Sequence, residues 1–184
     1  MEIRMNKKYT ALLEKIAPAT IIIFILIFLI PVLRDRVGNH APIVKIKPPK
    51  TDITFKTGYS SLDSLINEGL EEFRKGNYIS SSRDLSKAHF YLSVKVKEGE
   101  LSELPEGLLF YLALSEFYRG KIDKAVKLLE EECSRSPEHE VYSWYLANIY
   151  IQQGEKSKAR KELEHIISLH GEYEEKARET LSRL

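Results

Sequence analysis

The most apolar part of the chain lies near its start. Residues 16–33 form eighteen consecutive positions without a formal charge, and residues 21–30 are all Ile, Leu or Phe. A helix of this length spans about 27 Å at about 1.5 Å per residue, which matches the apolar thickness of a bilayer. The core of a globular domain this small does not need such a segment. The pattern therefore predicts one transmembrane helix over residues 16–33.

The flanks of this segment indicate how it inserts. Residues 1–15 form a basic leader that includes Arg4, Lys7 and Lys8. No pair of small residues follows the apolar segment at the spacing that signal cleavage requires, so we expect the segment to be retained. Positive charges are similar in number on both sides, but a short basic leader usually stays in the cytoplasm. We expect a single-pass signal anchor, with the C-terminal domain on the periplasmic side of a bacterial envelope.

The next segment has a different pattern. Residues 34–59 contain Pro42, Pro48 and Pro49 and show no helical period. Proline and the residue before it favour extended or polyproline backbone, which predicts an extended linker over 34–59. Short alternation in VKIK and DITF also leaves open that this segment pairs with the edge of a partner's sheet.

The remainder of the chain repeats itself with a period of about 34 residues. Each copy has an apolar stretch with helical spacing, a glycine followed by polar residues, and then an amphipathic stretch, which is the pattern of a helical hairpin. Four pairs of residues share this spacing: Gly120 and Gly154, Ala125 and Ala159, Leu129 and Leu163, and Pro137 and Gly171.

This pattern resembles the tetratricopeptide repeat (TPR) family, whose unit is about 34 residues long. Leu112-Ala113 and Leu146-Ala147 supply the large and small residues that the family places on the first helix of each unit. An earlier, more divergent copy has Gly69 on its first helix and Gly76 in its turn. Gly76 and Gly120 lie further apart than one repeat, so we expect an insertion within residues 91–107.

The resemblance implies a short α-solenoid over residues 60–184. Together with the transmembrane helix that the apolar segment predicts, this gives an all-α fold with an N-terminal transmembrane helix. The solenoid would consist of three helix pairs and a C-terminal capping helix. The expected repeats cover residues 60–97, 104–136 and 138–171, and the capping helix covers residues 172–184.

The resemblance also implies a binding site, because TPR partners usually lie in a concave groove lined by the first helix of each pair. Tyr118, Trp144 and Asn148 are the strongest candidates, since they combine groove placement with polar tips. Several groove candidates can equally be core residues between repeats. The full set of candidates is Ile66, Leu70, Phe73, Arg74, Phe110, Leu114, Phe117, Tyr118, Trp144, Asn148, Ile151 and Gln152.

Composition and charge narrow the functional classes. The net charge of +1 conceals a basic segment, residues 1–59 at +6, and an acidic domain, residues 60–184 at −5. No basic stripe for nucleic acid, no catalytic motif and no metal-binding spacing of His or Cys is present. The single cysteine, Cys133, lies beside Glu131 and Glu132, which would raise the pKa of its thiol. We expect no catalytic residues, no cofactor, no metal and no small-molecule substrate.

These observations predict a membrane-anchored adaptor or scaffold that binds a protein partner at the membrane surface. The partner would contribute an extended segment or a helix to the groove, and residues 16–33 would contact the lipid bilayer. The alternative is a structural accessory subunit of a larger membrane complex.

Overall fold

The computed structural model describes residue 49 and residues 54–184, and this part of the chain contains seven helices and no strand. The predicted all-α class is therefore confirmed here, with three helix pairs and a terminal helix. The helices are α1 (Ser60–Arg74), α2 (Tyr78–Lys97), α3 (Leu108–Tyr118), α4 (Ile122–Arg135), α5 (Glu140–Gln153), α6 (Lys156–Leu169) and α7 (Glu174–Ser182).

The predicted membrane segment is not tested by this structure. The leader 1–15, the predicted transmembrane helix 16–33 and most of the linker 34–59 lie outside the described residues. Within residues 54–184, no helix combines the length and apolar character needed to cross a bilayer.

Small residues set how closely the two helices of each pair approach. A Cβ atom on Gly69 of α1 would lie only 2.9 Å from Leu85 Cγ of α2, so a larger residue would push the helices apart. Ala113 in α3 and Ala147 in α5 occupy the position of Gly69 in the later repeats and are fully buried. On the second helix of these pairs, Ala125 and Ala159 are also fully buried. The turn glycines Gly120 and Gly154 have φ angles of 77° and 76°, a left-handed conformation that glycine adopts without steric cost. The regular spacing of these residues thus reflects one hairpin geometry used twice.

Polar contacts join the first helix pair to the second. The hydroxyl groups of Ser81 and Ser115 are 2.8 Å apart, and the Ser82 hydroxyl donates to Glu116 Oε1 over 2.7 Å. All four side chains are buried, and the partners in each pair are 34 residues apart. Buried polar groups need partners to avoid a desolvation penalty, so these bonds align α2 with α3.

The Glu116 carboxylate also receives two positive charges. Arg119 Nη1 lies 3.0 Å from Oε2, and Lys124 Nζ lies 2.7 Å from Oε1. Burial alone would raise the pKa of Glu116. The hydrogen bonds from Lys124 and Ser82, with the nearby charges, outweigh burial, so the pKa lies below its usual value.

A second buried carboxylate holds the expected insertion in place. The helix α2 continues to Lys97, and the chain then forms a loop that returns at Gly107. Fully buried Glu132 accepts a hydrogen bond from the Gly107 amide and lies 3.0 Å from Arg135 Nη1. Burial raises the pKa of Glu132, and the Gly107 and Arg135 contacts offset this only in part.

The end of the predicted linker belongs to the folded domain. Phe55 is buried, and its amide donates to Asn67 Oδ1 over 3.3 Å. The amide and the hydroxyl of Thr57 both donate to Asp63 Oδ1 over 2.7 Å. The proline pattern predicted an extended spacer up to residue 59, whereas residues 54–59 are held to α1 by these hydrogen bonds and by the burial of Phe55.

The terminal helix α7 is docked by a carboxylate from α5. The two oxygens of Glu140 accept hydrogen bonds from the amides of Glu172 and Tyr173, each over 2.8 Å. These amides precede the first turn of α7, where helical amides lack internal partners. A Cβ on Gly171 would lie 1.6 Å from Glu140 Oε1, so glycine is required for the carboxylate to fit.

We expect Gly171→Ala to lower the free energy of unfolding by roughly 2–3 kcal/mol, because the new methyl group displaces the Glu140 carboxylate from two charge-assisted hydrogen bonds. Urea denaturation followed by Trp144 fluorescence measures this directly, since the Trp144 ring lies 5.6 Å from that of Tyr173 beside α7.

A double-variant cycle provides the control. In a Glu140→Ala background the carboxylate is absent, so Gly171→Ala should have a much smaller effect. Equal effects in the two backgrounds would show that the contact with Glu140 is not the reason for glycine at this position.

We expect the two buried carboxylates to give opposite pH dependences. The lowered pKa of Glu116 contributes stability above the unfolded pKa, and that stability is lost as the pH falls through the folded pKa. The raised pKa of Glu132 contributes stability below the unfolded pKa, which is lost as the pH rises through the folded pKa. Glu116→Gln should therefore flatten the decrease in unfolding free energy between about pH 7 and pH 3, and Glu132→Gln should steepen it.

Urea denaturation at several pH values measures both slopes, with the exposed Glu131→Gln variant as the control. A change of slope in the same direction for the Glu116 and Glu132 variants would contradict this assignment.

Candidate protein-binding face

The structure separates the predicted groove residues into buried and accessible groups. Arg74 and Gln152 are exposed, and Phe117, Tyr118 and Trp144 are partly buried. Seven others are buried, which matches the alternative interpretation that several candidates belong to the core between helices. The buried candidates are Ile66, Leu70, Phe73, Phe110, Leu114, Asn148 and Ile151.

The candidates on α1 pack inside the first helix pair. Ile66 and Leu70 are fully buried, and Phe73 makes edge contacts with Tyr78 and Tyr111 at centroid distances of 5.4 and 5.7 Å. Their side chains therefore contribute to the core, and α1 presents little of the predicted set to a partner.

The candidates on α3 form part of an aromatic cluster. The ring of Tyr118 stacks on that of Tyr78 at 4.6 Å, and Phe117 contacts Tyr118 at 5.3 Å. Burial, together with the nearby Tyr145 and Tyr78, raises the pKa of Tyr118. The phenol thus stays neutral at physiological pH and can donate a hydrogen bond.

The predicted set did not include two tyrosines that occupy equivalent positions in consecutive repeats. Tyr111 on α3 and Tyr145 on α5 are buried next to Phe110, whose ring lies 5.2 Å from each of them. The signal was available in the sequence, because the two tyrosines are separated by one repeat period.

The candidates on α5 share one face of the helix. Trp144, Asn148 and Gln152 recur at intervals of four residues, the spacing that places side chains on one side of a helix. Val141, which was not among the candidates, lies on the same side one turn earlier. Val141 and Trp144 are partly buried and Gln152 is exposed, so this face retains contact with solvent. We call it the α5 face. Asn148 lies in the middle of it and is nevertheless only 1% exposed.

The hydrogen bonding of Asn148 is incomplete. Its Nδ2 donates to the Trp144 carbonyl oxygen over 2.6 Å. Its Oδ1 is the only buried side-chain polar atom without a partner in the part of the chain that the structure describes. A buried acceptor without a donor costs about 1–3 kcal/mol. A polar group that carries such a cost on an otherwise accessible face is a candidate for contact with a ligand.

Trp144 connects the α5 face to the end of the solenoid. It packs against a buried cluster formed by Ala147, Leu163, Ile166 and Ala177. Its ring also lies 5.6 Å from that of Tyr173. One side of the indole is therefore fixed by α6 and α7 while the rest stays accessible, which makes it a pre-ordered apolar surface.

The single cysteine lies elsewhere, in a shallow depression between α4 and α6. Burial raises the pKa of the Cys133 thiol to about 12, so the thiol stays protonated and unreactive at neutral pH. The rise was expected, but burial rather than the adjacent carboxylates is its main cause. The depression is also lined by Glu130, Tyr150, Lys158, Glu162 and His165. Within the described residues no group of His, Cys, Asp and Glu side chains has an arrangement that could hold a metal ion.

Several solved structures have a similar arrangement of helices. PcrH from Pseudomonas aeruginosa has a TM-score of 0.56 and 12% identity, covering 72% of this chain and 97% of PcrH. PcrH in complex with the chaperone binding region of PopB has a TM-score of 0.54 and 12% identity, with 68% and 96% covered. The Yersinia enterocolitica translocator chaperone SycD has a TM-score of 0.51 and 17% identity, with 68% and 89% covered. At these identities the likeness concerns the fold.

No curated protein matches the chain in sequence. The model of the tetratricopeptide repeat family matches residues 108–138, which contain α3 and α4. The same hairpin geometry precedes and follows this unit, with the turn glycines and small contact residues described above. Residues 108–138 are therefore a tetratricopeptide repeat by sequence, and the helix pairs on either side of this unit are similar to it in structure.

Proposed function

We propose that this chain is a membrane-anchored adaptor whose α5 face binds an extended segment of a partner protein. The observation that carries this proposal is the unpartnered, buried Oδ1 of Asn148 in the middle of that face. Trp144 and Gln152 flank it by one helical turn on either side, and they supply an apolar contact and a polar contact.

Main-chain amides are the donors that best suit Asn148. Every residue of a partner except proline carries a main-chain amide, so a hydrogen bond from this amide to Asn148 would hold a segment whatever its side chains are. In a helix the amides beyond the first turn are already bonded internally. An extended segment is therefore favoured over an amphipathic helix, and specificity would come from apolar side chains that contact Trp144 and its neighbours.

The other buried polar side chains explain why Asn148 stands out. Ser81, Ser82, Ser115 and Glu116 satisfy one another across helix pairs, and Glu132 is satisfied by Gly107 and Arg135. These other buried polar groups are therefore hydrogen-bonded within the fold. The unpaired oxygen of Asn148 on the α5 face is consistent with a partner that donates the missing hydrogen bond.

Related folds support a role in protein binding. PcrH is seen in complex with the chaperone binding region of another protein, PopB. By analogy, we infer that the solenoid of this chain also holds a segment of a second protein.

The membrane part of the proposal comes from residues 16–33. An uncharged segment of this length would hold the helical domain close to other membrane proteins, with the domain outside the cytoplasm. Such tethering raises the effective concentration of the partner, so a modest affinity on the α5 face is sufficient.

We expect Asn148→Leu to stabilise the free protein and weaken partner binding. Leucine fits the equivalent position in the preceding repeat, where Leu114 is fully buried. Removing the unpartnered oxygen should raise the unfolding free energy by about 1–2 kcal/mol. Loss of one main-chain hydrogen bond should lower the affinity for the partner segment about five- to tenfold. Urea denaturation measures the first effect.

A photo-crosslinking amino acid at position 152, incorporated in cells, identifies the partner and the segment it contributes. The same group at exposed Lys127 on α4 is the matched control. The segment is then made as a peptide, and its affinity is measured for wild type and Asn148→Leu. Equal affinity for the two proteins, or identical crosslinks from positions 152 and 127, would rule out the α5 face as the site.

We expect deletion of residues 16–33 to release the protein from membranes. The full chain should stay in the membrane pellet after alkaline carbonate treatment, which removes peripheral proteins, and the deletion variant should not. Protease added to spheroplasts should digest the helical domain of the full chain if it lies outside the cytoplasm. Digestion only after detergent lysis would reverse the proposed orientation, and release of the full chain by carbonate would contradict the anchor.

A further inference from the structure

The helix α2 carries an unusual set of exposed side chains. Ile79, Phe90 and Tyr91 are 72%, 63% and 54% exposed, and within the described residues they are the large hydrophobic side chains that face solvent most openly. The rings of Phe90 and Tyr91 contact each other edge to face at 5.4 Å. Isolated exposed apolar residues are normal in soluble proteins. Three on one helix call for a physical explanation.

These side chains lie on a single stripe of α2. At about 100° per residue, residues 79, 90 and 97 fall within about 20° of one another, and the exposed positions together span about 120°. The opposite face is buried against α1 and α3 and includes Leu85, Ala88 and Leu92. We call the set of residues on this side the α2 stripe, in which Val94 is partly buried and the others are exposed: Ile79, Arg83, Lys87, Phe90, Tyr91, Val94 and Lys97.

The α2 stripe is positively charged within an acidic domain. Its charged members are Arg83, Lys87 and Lys97, and it contains no carboxylate. Arg83 is paired with Asp84 at 2.8 Å, beside the stripe. Among the described residues Lys87 and Lys97 make no ion pair. Residues 60–184 carry a net charge of −5, so the stripe differs from its surroundings in both charge and hydrophobicity.

We propose that the α2 stripe lies on an anionic lipid surface. Aromatic and aliphatic side chains on one face of a helix, flanked by Lys and Arg, are the combination that binds the boundary between lipid head groups and acyl chains. Phe90 and Tyr91 would enter that boundary, while Lys87 and Lys97 extend their charged ends to the head groups. Each cation near such a surface strengthens binding about fivefold.

The shape and charge of the α2 stripe disfavour a second copy of the chain or a peptide as its partner. In a symmetric dimer through this face, each stripe would meet its own copy, which would oppose cations with cations. The stripe is also a ridge about 27 Å long from residue 79 to residue 97, with no groove to hold a peptide. A broad, negatively charged surface matches such a ridge.

The length of the chain before the domain permits this contact. Residues 34–53 span at most about 72 Å when fully extended, so a domain anchored through residues 16–33 can reach the same membrane. This step rests on the anchor of the proposed function, whereas the chemistry of the α2 stripe does not.

The test uses the full chain with Cys133→Ala and one new cysteine that carries an environment-sensitive dye. Ser86→Cys places the dye at the edge of the α2 stripe, and Ser157→Cys places it on exposed α6 as a control. With vesicles of phosphatidylcholine and phosphatidylglycerol, we expect a blue shift and higher intensity at position 86 only. Most of the blue shift should disappear with vesicles of phosphatidylcholine alone. It should also disappear in about 1 M salt, because charges then act over only about 3 Å.

Paired variants test the residues. Lys87→Gln with Lys97→Gln should lower the ratio of surface-bound to free domain about 25-fold, about fivefold for each cation. Lys127→Gln with Lys161→Gln, on α4 and α6, should leave this ratio unchanged. Flotation of the chain with the vesicles reports the anchor separately, so failure of the anchor is distinguished from failure of the stripe.

Three results would overturn the proposal. The first is a dye at position 86 whose emission stays that of water although the chain floats with the vesicles. The second is a blue shift that appears without lipid and grows with protein concentration. The third is an equal decrease in the ratio of surface-bound to free domain for the two pairs of variants. The second result would instead indicate contact between copies of the chain.

Discussion

The fold depends on the burial of α3 between the first and third helix pairs. Nine consecutive residues of this helix, Leu108–Glu116, are buried, so it has no face left for solvent. A single helix pair cannot supply such an environment, and only stacking on both sides provides it. Burial on all sides also forces Ser115 and Glu116 to find polar partners. The bonds from Ser81 and Ser82 in the preceding repeat therefore both satisfy α3 and fix the register of the stack.

The same constraint explains how much of the structure could be predicted from the sequence. The repeat period predicted the helix pairs, because the turn glycines and contact alanines must recur wherever the hairpin recurs. It could not separate groove from core on α3 and α5, since these helices are apolar on nearly every side. Leu114 and Asn148 occupy equivalent places, and both are buried. The packing of Phe55 and the contacts Glu132–Gly107 and Glu140–Gly171 were also missed, because each occurs once and leaves no periodic signal.

The contacts that were missed have a common role. Each closes a part of the solenoid where the repeat is interrupted. The segment before α1 is held by Asp63 and Asn67, the inserted loop by Glu132, and the start of α7 by Glu140. In the three cases a side-chain oxygen accepts from main-chain amides that regular stacking would leave unsatisfied. The ends and the insertion of the array are therefore stabilised by individual acceptors, whereas its interior is stabilised by repetition.

The α2 stripe bears on how an acidic domain can lie next to anionic lipid. The acidic helical domain would be repelled by anionic lipid if its charge were spread evenly, with only the basic segment 1–59 holding it near the surface. Placing Lys87 and Lys97 with Phe90 on one ridge of α2 gives the domain an attractive face in spite of its net charge of −5. The helix α2 packs against α1 and α3, whereas α5 packs against α4 and α6. Because the α2 stripe and the α5 face lie on different helices and share no residue, contact between α2 and a membrane would not use the side chains of the α5 face.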